Sequence, residues 1–323
     1  MRKVTLSRTD LQVSGPGLGT DYFGSQIDRA VSIQLMDHYF EAGGNLIDTA
    51  EVYARWIPGG DHKSEQVVGQ WLRERQVRDQ IVVSTKGAHP NLESMQVPRM
   101  SKSEIEADLD SSLQRLGVDH VDIYWLHRDA PGYPIGDILE SLEALRAAGK
   151  IRYYGFSNWP QPRAEEARLI AAKTNIPGFV ASQNLWSLGK VNIANADATW
   201  AYIDEPFAQW HQQNNFAAFP YMTQASGYFR RMESNTLDQL PQDARVRLLF
   251  DHEENRQRFR RAVELQKRDG LTLNQVALGY LIGHPFPVIP LVGPKSVADL
   301  DDSLKSAETA LSAADIAYLE SGR

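Results

Sequence analysis

Eight short apolar runs, each ending in a polar residue or glycine and separated by helix-period sequence, constrain this chain more than any other feature. They are GLGT (17–20), NLID (45–48), IVVSTK (81–86), VDIYWLH (121–127), IRYYGFS (151–157), FVASQN (179–184), AAFPY (217–221) and VIPLVG (288–293). The intervening segments place apolar residues on one helical face. Val67, Val68, Trp71 and Leu72 form one such stripe, and Ile105, Leu109, Leu113 and Leu116 form another. The second opens with Ser101 and Glu104 in capping-box spacing. A third, Ile138, Leu139, Leu142 and Leu145, is closed by Gly149 and Lys150. Strand-like runs alternating with helices read as parallel βαβ units, and near-continuous apolar strands suit a sheet covered on both faces. Eight such units predict a closed α/β barrel of the (β/α)8, or TIM-barrel, type, with residues 1–323 forming one domain. The leading VTLSRTDLQVSG predicts a β-hairpin turned at Arg8, Thr9 and Asp10.

Composition narrows the function classes. The chain has 323 residues, 42% of them hydrophobic, which is ample material for one large barrel core. A formal charge of −7 spread along the chain offers no basic face for nucleic acid. Without cysteine there are no disulfides, thiolate nucleophiles or cysteine metal sites. No run is long and apolar enough to span a bilayer, and the N-terminus is too polar for a secretory leader, so a cytoplasmic protein is expected.

The chemistry lies where the apolar runs stop. Their ends carry Asp48, Lys86, His127, Ser157, Asn158, Gln183 and Tyr221, and Tyr53 follows five positions after Asp48. In such a barrel the C-terminal strand ends form the active-site face. Singly, Asp48 fits a helix cap, Lys86 a strand end, His127 a structural histidine and Tyr53 an exposed loop residue. Together on one rim they suit proton transfer to an oxygen. A tyrosine hydroxyl is a poor acid unless its anion is stabilised, a lysine ammonium stabilises it, and an aspartate keeps the lysine charged and fixed. A histidine orients a carbonyl oxygen. The set contains no nucleophile and no clear metal-ligand set, so the electrophile must receive something from elsewhere, such as a hydride from a cofactor.

These residues sit in motifs that resemble the aldo-keto reductase family over nearly the whole chain. The carriers are GLGT, NLIDTAEVY (45–53), KSEQVVGQWL (63–72), IVVSTKG (81–87), SLQRLGVDHVDIYWLHRD (112–129), LEALRAAGKIRYYGFSN (142–158), SQN (182–184) and VGPKSV (292–297). The resemblance implies a barrel enzyme that transfers hydride between NADP(H) and a carbonyl or sugar substrate. It implies that Tyr53, Asp48, Lys86 and His127 form the catalytic tetrad, with Lys86 and Asp48 lowering the Tyr53 pKa. It places Gly19, Thr20, Asp21 and Asp48 near the cofactor and Ser157, Asn158 and Gln183 at the nicotinamide carboxamide. Tyr221 falls on the nicotinamide face, Ser226 by the pyrophosphate, and Gly293, Lys295 and Ser296 by the adenosine 2′-phosphate.

Departures from the family pattern bear on cofactor and substrate. Met222-Thr223-Gln224 replaces the usual Ser-Pro-Leu, and Asp299, Asp302 and Ser303 stand where an arginine and a Glu-Asn pair are usual. The acidic Asp299 opens NAD as an alternative to the NADP that Lys295 favours. SGPGLG (14–19) has the wrong spacing for a dinucleotide loop and reads as a turn, and no Tyr-x-x-x-Lys signature is present. The loop ARWIPGGDHKSE is similar to the bacterial sugar-type branch of the family. Trp56 in that loop, Tyr22 in the first loop, and Trp125 with His127 on one strand face predict an aromatic-walled substrate pocket. Residues 222–254 form a turn-rich connection that is expected to lie over the cofactor as a lid. Two other readings stay open at this point: a non-catalytic redox-sensing homologue, and a lyase or aldolase using Lys86 as a Schiff-base amine.

Overall fold

The computed structural model describes residues 1–322. The hairpin pairs β1 (Arg2–Thr5) with β2 (Gln12–Gly15) in antiparallel register, Val4 opposite Val13. Eight further strands then pair in parallel: β3 (Gly17–Gly19), β4 (Leu46–Asp48), β5 (Val82–Gly87), β6 (Val121–Leu126), β7 (Ile151–Ser157), β8 (Ala181–Gln183), β9 (Ala217–Ala218) and β10 (Leu291–Val292). Their order is β10-β3-β4-β5-β6-β7-β8-β9. Each pairs with its sequence neighbour, and β10 returns beside β3. Backbone bonds from Ala218 to Pro287, Ile289 to Ala218 and Leu291 to Pro220 join the last edges and close the ring. All eight expected runs are therefore strands, although AAFPY and VIPLVG pair over only two residues each. Pro220 and Pro290 have no N–H for a ladder.

Helices α1 (Arg29–Glu41), α2 (Lys63–Arg75), α3 (Lys102–Leu116), α4 (Ile135–Ala147), α5 (Gln161–Thr174) and α6 (Glu205–Gln213) each follow a barrel strand. The connection after β9 holds α7 (Tyr228–Glu233), α8 (Arg245–Phe250), α9 (Glu253–Asp269) and α10 (Leu273–Ile282). α11 (Val297–Lys305) follows β10, and α12 (Ala313–Ser321) ends the described chain. The capping box of Ser101 and Glu104 opens α3 as expected. Gly149 adopts φ +73° just past α4. The connection at 222–254 is more ordered than its turn-rich sequence suggests, because Tyr228, Phe229, Leu249 and Phe250 bury short helical turns. Among the described residues no helix is long and apolar enough to cross a membrane.

Two apolar layers follow from the strand alternation. Outward residues such as Ile47, Val83, Tyr124 and Leu126 pack under the helices. Inward residues Leu46, Val82, Ile123, Trp125, Ala181, Ala217, Phe219 and Leu291 fill the barrel, joined by Val4, Leu6, Leu11 and Val13 of the hairpin segment. The hairpin thus plugs the end at which strands begin. Trp125 does not line an open pocket, contrary to the expectation. It is fully buried against Phe219, with ring centroids 5.2 Å apart, and any side chain at Gly155 would overlap its ring. It is the floor beneath the site, two residues below His127.

Candidate active site

The same inward alternation lifts polar residues to the opposite end. On β4, Leu46 belongs to the filling and Asp48 stands above it; on β5, Val82 is followed by Ser84 and Lys86. The Lys86 ammonium donates to Asp48 Oδ2 at 2.5 Å, to the Thr49 carbonyl at 2.8 Å and to Tyr53 Oη at 2.7 Å. All three of its donors are occupied. Asp48 also accepts from Ser84 Oγ at 2.6 Å and from Gln183 Nε2 at 3.0 Å. Both Lys86 and Asp48 are 1% exposed. A buried charge persists only when paired and hydrogen-bonded, which is the state of both.

Tyr53 reaches this pair from the β4–α2 loop. That loop is held by Glu51, which accepts from Arg55 at 3.2 Å and lies 3.4 Å from His62. The Tyr53 hydroxyl approaches Asp48 Oδ2 only at 3.5 Å, so among the described residues its proton has no short acceptor. Burial raises the phenol well above its ordinary value of 10, with Asp48 and Asp21 pushing the same way and Arg128 opposing. The expected lowering by Lys86 is overturned in this state: desolvation of the phenolate outweighs the ammonium. Tyr53 therefore rests as a neutral phenol. Burial lowers the Lys86 ammonium as well, opposed by the Asp48 carboxylate and its hydrogen bond.

His127 completes the rim, its ring 6.0 Å from that of Tyr53. Burial pushes it well below 6.5, aided by Arg128, so the imidazole is neutral. Its Nδ1 is buried without a partner. An unpaired lone pair is cheaper there than an orphaned N–H, which favours the tautomer protonated at Nε2. Two neighbours of this wall were not singled out from sequence. His89 lies with its ring 4.8 Å from His127, and its Nδ1 meets the Pro90 carbonyl at 2.7 Å. Arg128 reaches the Thr199 hydroxyl at 3.0 Å and the His127 carbonyl at 2.9 Å. Adjacency was the available signal: His89 follows the Lys86 strand within KGAHP, and Arg128 follows His127.

Across from His127, Trp56 stands edge-on to both Tyr53, at 6.1 Å, and Tyr22, at 6.5 Å. It is 45% exposed, although its flat surface is apolar. Trp56 and Tyr22 thus lie together beside the Tyr53 ring. Trp159 and Trp186 are core residues, stacked on Phe156 and Phe286.

The residues assigned to a cofactor differ in how far their polar groups are already committed to the scaffold. Thr20 is fully buried, and its hydroxyl bonds the Asp48 carbonyl and Ser64. It braces β3 against β4 and α2 rather than facing a groove, which corrects its expected place at the cofactor. Ser157 Oγ donates to the Gln183 carbonyl at 2.6 Å. Asn158 donates to the His127 carbonyl and Ser157, and accepts from Tyr221 Oη at 2.6 Å. Gln183 turns its amide nitrogen to Asp48, and the Tyr221 ring lies edge-on to Trp200. Gly19 and exposed Gly293 end neighbouring strands next to Asp21, and a Cβ at 293 would lie 3.6 Å from Asp21 Oδ1. Burial raises the Asp21 carboxyl to about 6 against the opposing charges of Lys86 and Lys295.

Farther along, Met222, Ala225, Ser226 and Gly227 all have positive φ. Such a run at three non-glycine residues is costly and occurs mainly where bare N–H groups must face a ligand. Exposed Lys295 precedes the α11 N-cap, Ser296, which accepts from the Asp299 N–H. Asp299 itself pairs with Arg230 at 2.7 Å. Asp302 accepts from Thr272, Asn274 and Gln275, while Gln224 meets Asn274 and Ser303. These contacts tie the 222–230 segment to α10 and α11. Among the described residues no group of acidic and histidine side chains could hold a metal ion.

Residues 17–322 match the sequence model of the Aldo/keto reductase family. The chain is 27% identical over 318 residues to the uncharacterized oxidoreductase YrpG of Bacillus subtilis, covering 96% of this chain and 92% of that protein. It is 26% identical over 342 residues to protein tas of Escherichia coli, covering 98% and 95%. A norsolorinic acid reductase of Aspergillus flavus is 25% identical over 336 residues, covering 98% and 80%. In fold it is similar to the thermostable aldo-keto reductase Tm1743, crystallised with the inhibitor epalrestat. The TM-score is 0.72 at 24% identity, with 99% of each chain covered. With the closed barrel and its family-wide sequence match, this chain belongs to the aldo/keto reductase family of oxidoreductases.

Proposed function

We propose that the protein is an NADPH-dependent carbonyl reductase in which Tyr53 gives its proton to the substrate oxygen. One observation carries this reading: a single buried ammonium, Lys86, is hydrogen-bonded to both Asp48 and Tyr53 Oη. A nicotinamide cofactor, when bound, supplies the hydride. The groove beside Asp21, Gly293 and the left-handed turn at 222–227 fits such a group, with Gln183, Asn158 and Tyr221 at its nicotinamide end. Opening the Tyr221–Asn158 bond frees the amide for the carboxamide. Lys295 and the α11 N-terminus favour the 2′-phosphate. Arg230 compensates the acidic Asp299, which supports NADP over NAD, and ties the 222–254 segment to α11 as a lid.

The protein's own groups divide the work. His127 Nε2–H polarises a carbonyl oxygen held beside Tyr53 Oη. The phenol keeps its proton until charge develops on that oxygen, and then releases it. Lys86 stabilises the resulting phenolate without moving, since its bond to Oη is already formed. Asp48, itself held by Ser84 and Gln183, fixes Lys86. In the reverse direction the same atoms take a proton from an alcohol. Trp56 and Tyr22 favour aromatic, apolar or sugar-derived carbonyl compounds, in keeping with the names of the norsolorinic acid reductase and of an aryl-alcohol dehydrogenase from Pestalotiopsis microspora, 26% identical. An aldolase role for Lys86 fits poorly, because a Schiff-base amine needs a free lone pair and this nitrogen donates three hydrogen bonds.

Following NADPH and NADH oxidation against aldehydes, ketones, aldoses and keto-sugars tests the proposal. Carbonyl-dependent oxidation, faster with NADPH, is expected. Tight NADPH binding with no turnover across the panel would favour the redox-sensing reading instead.

A further inference from the structure

We infer that the preferred substrate carries a carboxylate near its carbonyl and that the Arg128 guanidinium receives it. This deepens the carbonyl-reductase reading and rests on it. Arg128 lies on the His127 wall of the site. Its Nε donates to Thr199 and one Nη1 hydrogen to the His127 carbonyl, while Nη2 has no partner and is not enclosed, among the described residues. A guanidinium offers five N–H donors in a planar fork that matches a carboxylate.

Its neighbours show how a merely structural arginine is treated in this chain. Arg55 pairs with Glu51 and Arg163 with Asp129, each at 3.2 Å. No carboxylate lies within 4.0 Å of Arg128 among the described residues. Asp197 reaches it only through Thr199, whose N–H and hydroxyl both donate to Asp197 Oδ1, at 2.8 and 2.7 Å. Two imidazoles share the wall, and neither supplies charge: burial holds His89 at about 4 and His127 well below its usual value. His89 presents an acceptor at Nε2, because its Nδ1 hydrogen is used on Pro90. The Lys86 ammonium is already paired with Asp48, so the positive charge on this wall without a carboxylate partner among the described residues is that of Arg128, one residue from His127. Leaving a cation there without a counter-ion is costly unless a ligand completes it.

The alternative is that Arg128 only ties the β6 and β8 loops together, in which case its loss weakens all substrates alike. The test follows NADPH oxidation with oxo acids of graded chain length against their methyl esters. We expect at least one acid to exceed its ester by about tenfold or more in kcat/KM, mainly through KM. That ratio should fall as ionic strength rises, decline in Arg128→Lys and approach one in Arg128→Met. Two variants guard against one failing to fold, and the wild-type ratio stands without either. Turnover of esters and acids with no acid preference, or a preference unchanged in both variants, overturns the inference while leaving the reductase reading intact. No oxidation of NADPH by any of these compounds overturns both.

Discussion

Lys86 donates to the Tyr53 hydroxyl at 2.7 Å, yet the phenol is held well above its ordinary pKa. The two facts are compatible. Burial and the Asp48 and Asp21 carboxylates penalise a standing phenolate, so the resting acid is fully loaded. The ammonium acts on the phenolate only as the proton leaves. The proposed proton donor is thus a phenol that does not ionise on its own at neutral pH, rather than a tyrosine with a low pKa.

Asp48 is the counter-ion on which this depends. Asp48→Asn leaves the buried ammonium facing a neutral amide, and removing one partner of such a pair costs about 3–5 kcal/mol. Urea denaturation without cofactor should show a loss of that size. A loss under about 1 kcal/mol would mean that Thr49 and Tyr53 alone satisfy Lys86.

Asp21 should make stability pH-dependent. Its folded value, about 6, lies above the ordinary 3.8, chiefly through burial. The protonated form therefore favours folding. That contribution is full below the ordinary value and is lost as pH rises through about 6. Asp21→Asn should stabilise the cofactor-free protein above neutrality, on the order of 1 kcal/mol, and give no gain near pH 4. Thermal melts across that range check it, and an equal shift at both ends would contradict the assignment.

Lys295 tests the cofactor assignment. Lys295→Ala should weaken NADPH binding by about tenfold, or ~1.4 kcal/mol, and NADH binding much less. Titration of both cofactors by fluorescence would show the difference. Equal weakening would place Lys295 outside the 2′-phosphate site.

Trp56 is the exposed ring of the pocket wall. Trp56→Ala should raise KM about 5- to 10-fold for aromatic aldehydes, the scale of one aromatic contact, with little effect on melting temperature. Steady-state kinetics and a melt together separate a substrate wall from a packing residue.

The sequence carried the barrel and the gathering of Asp48, Lys86 and His127 at one rim because both are written in alternation: an inward apolar residue two or four positions below each of these polar strand ends. The same rule put Trp125 on the inner face with His127 but could not tell floor from wall. That depended on Gly155, its register partner on the adjacent strand β7, which leaves room for the indole in the filling. Thr20 was misplaced for a related reason. Its hydroxyl is captured by Ser64, which lies 44 positions away, and no local pattern signals such a partner. The Tyr53 pKa was misjudged because pairing with Lys86 is legible from motifs, whereas the cost of desolvation is a property of the closed fold. Arg128 and His89 were legible as neighbours of His127 and Lys86. Only in three dimensions is it visible that no carboxylate lies within 4.0 Å of Arg128 among the described residues, and the role proposed for it rests on that.

The central claim is that Tyr53 is the proton donor, and a pre-steady-state comparison of wild type with Tyr53→Phe tests it most directly. Rapid mixing of the NADPH complex with an accepted aldehyde should show the rate of NADPH oxidation falling by about a thousandfold or more in the variant. NADPH affinity should stay within about twofold, because the hydroxyl contacts Lys86 and the substrate. A variant that keeps most of the wild-type rate would contradict the account.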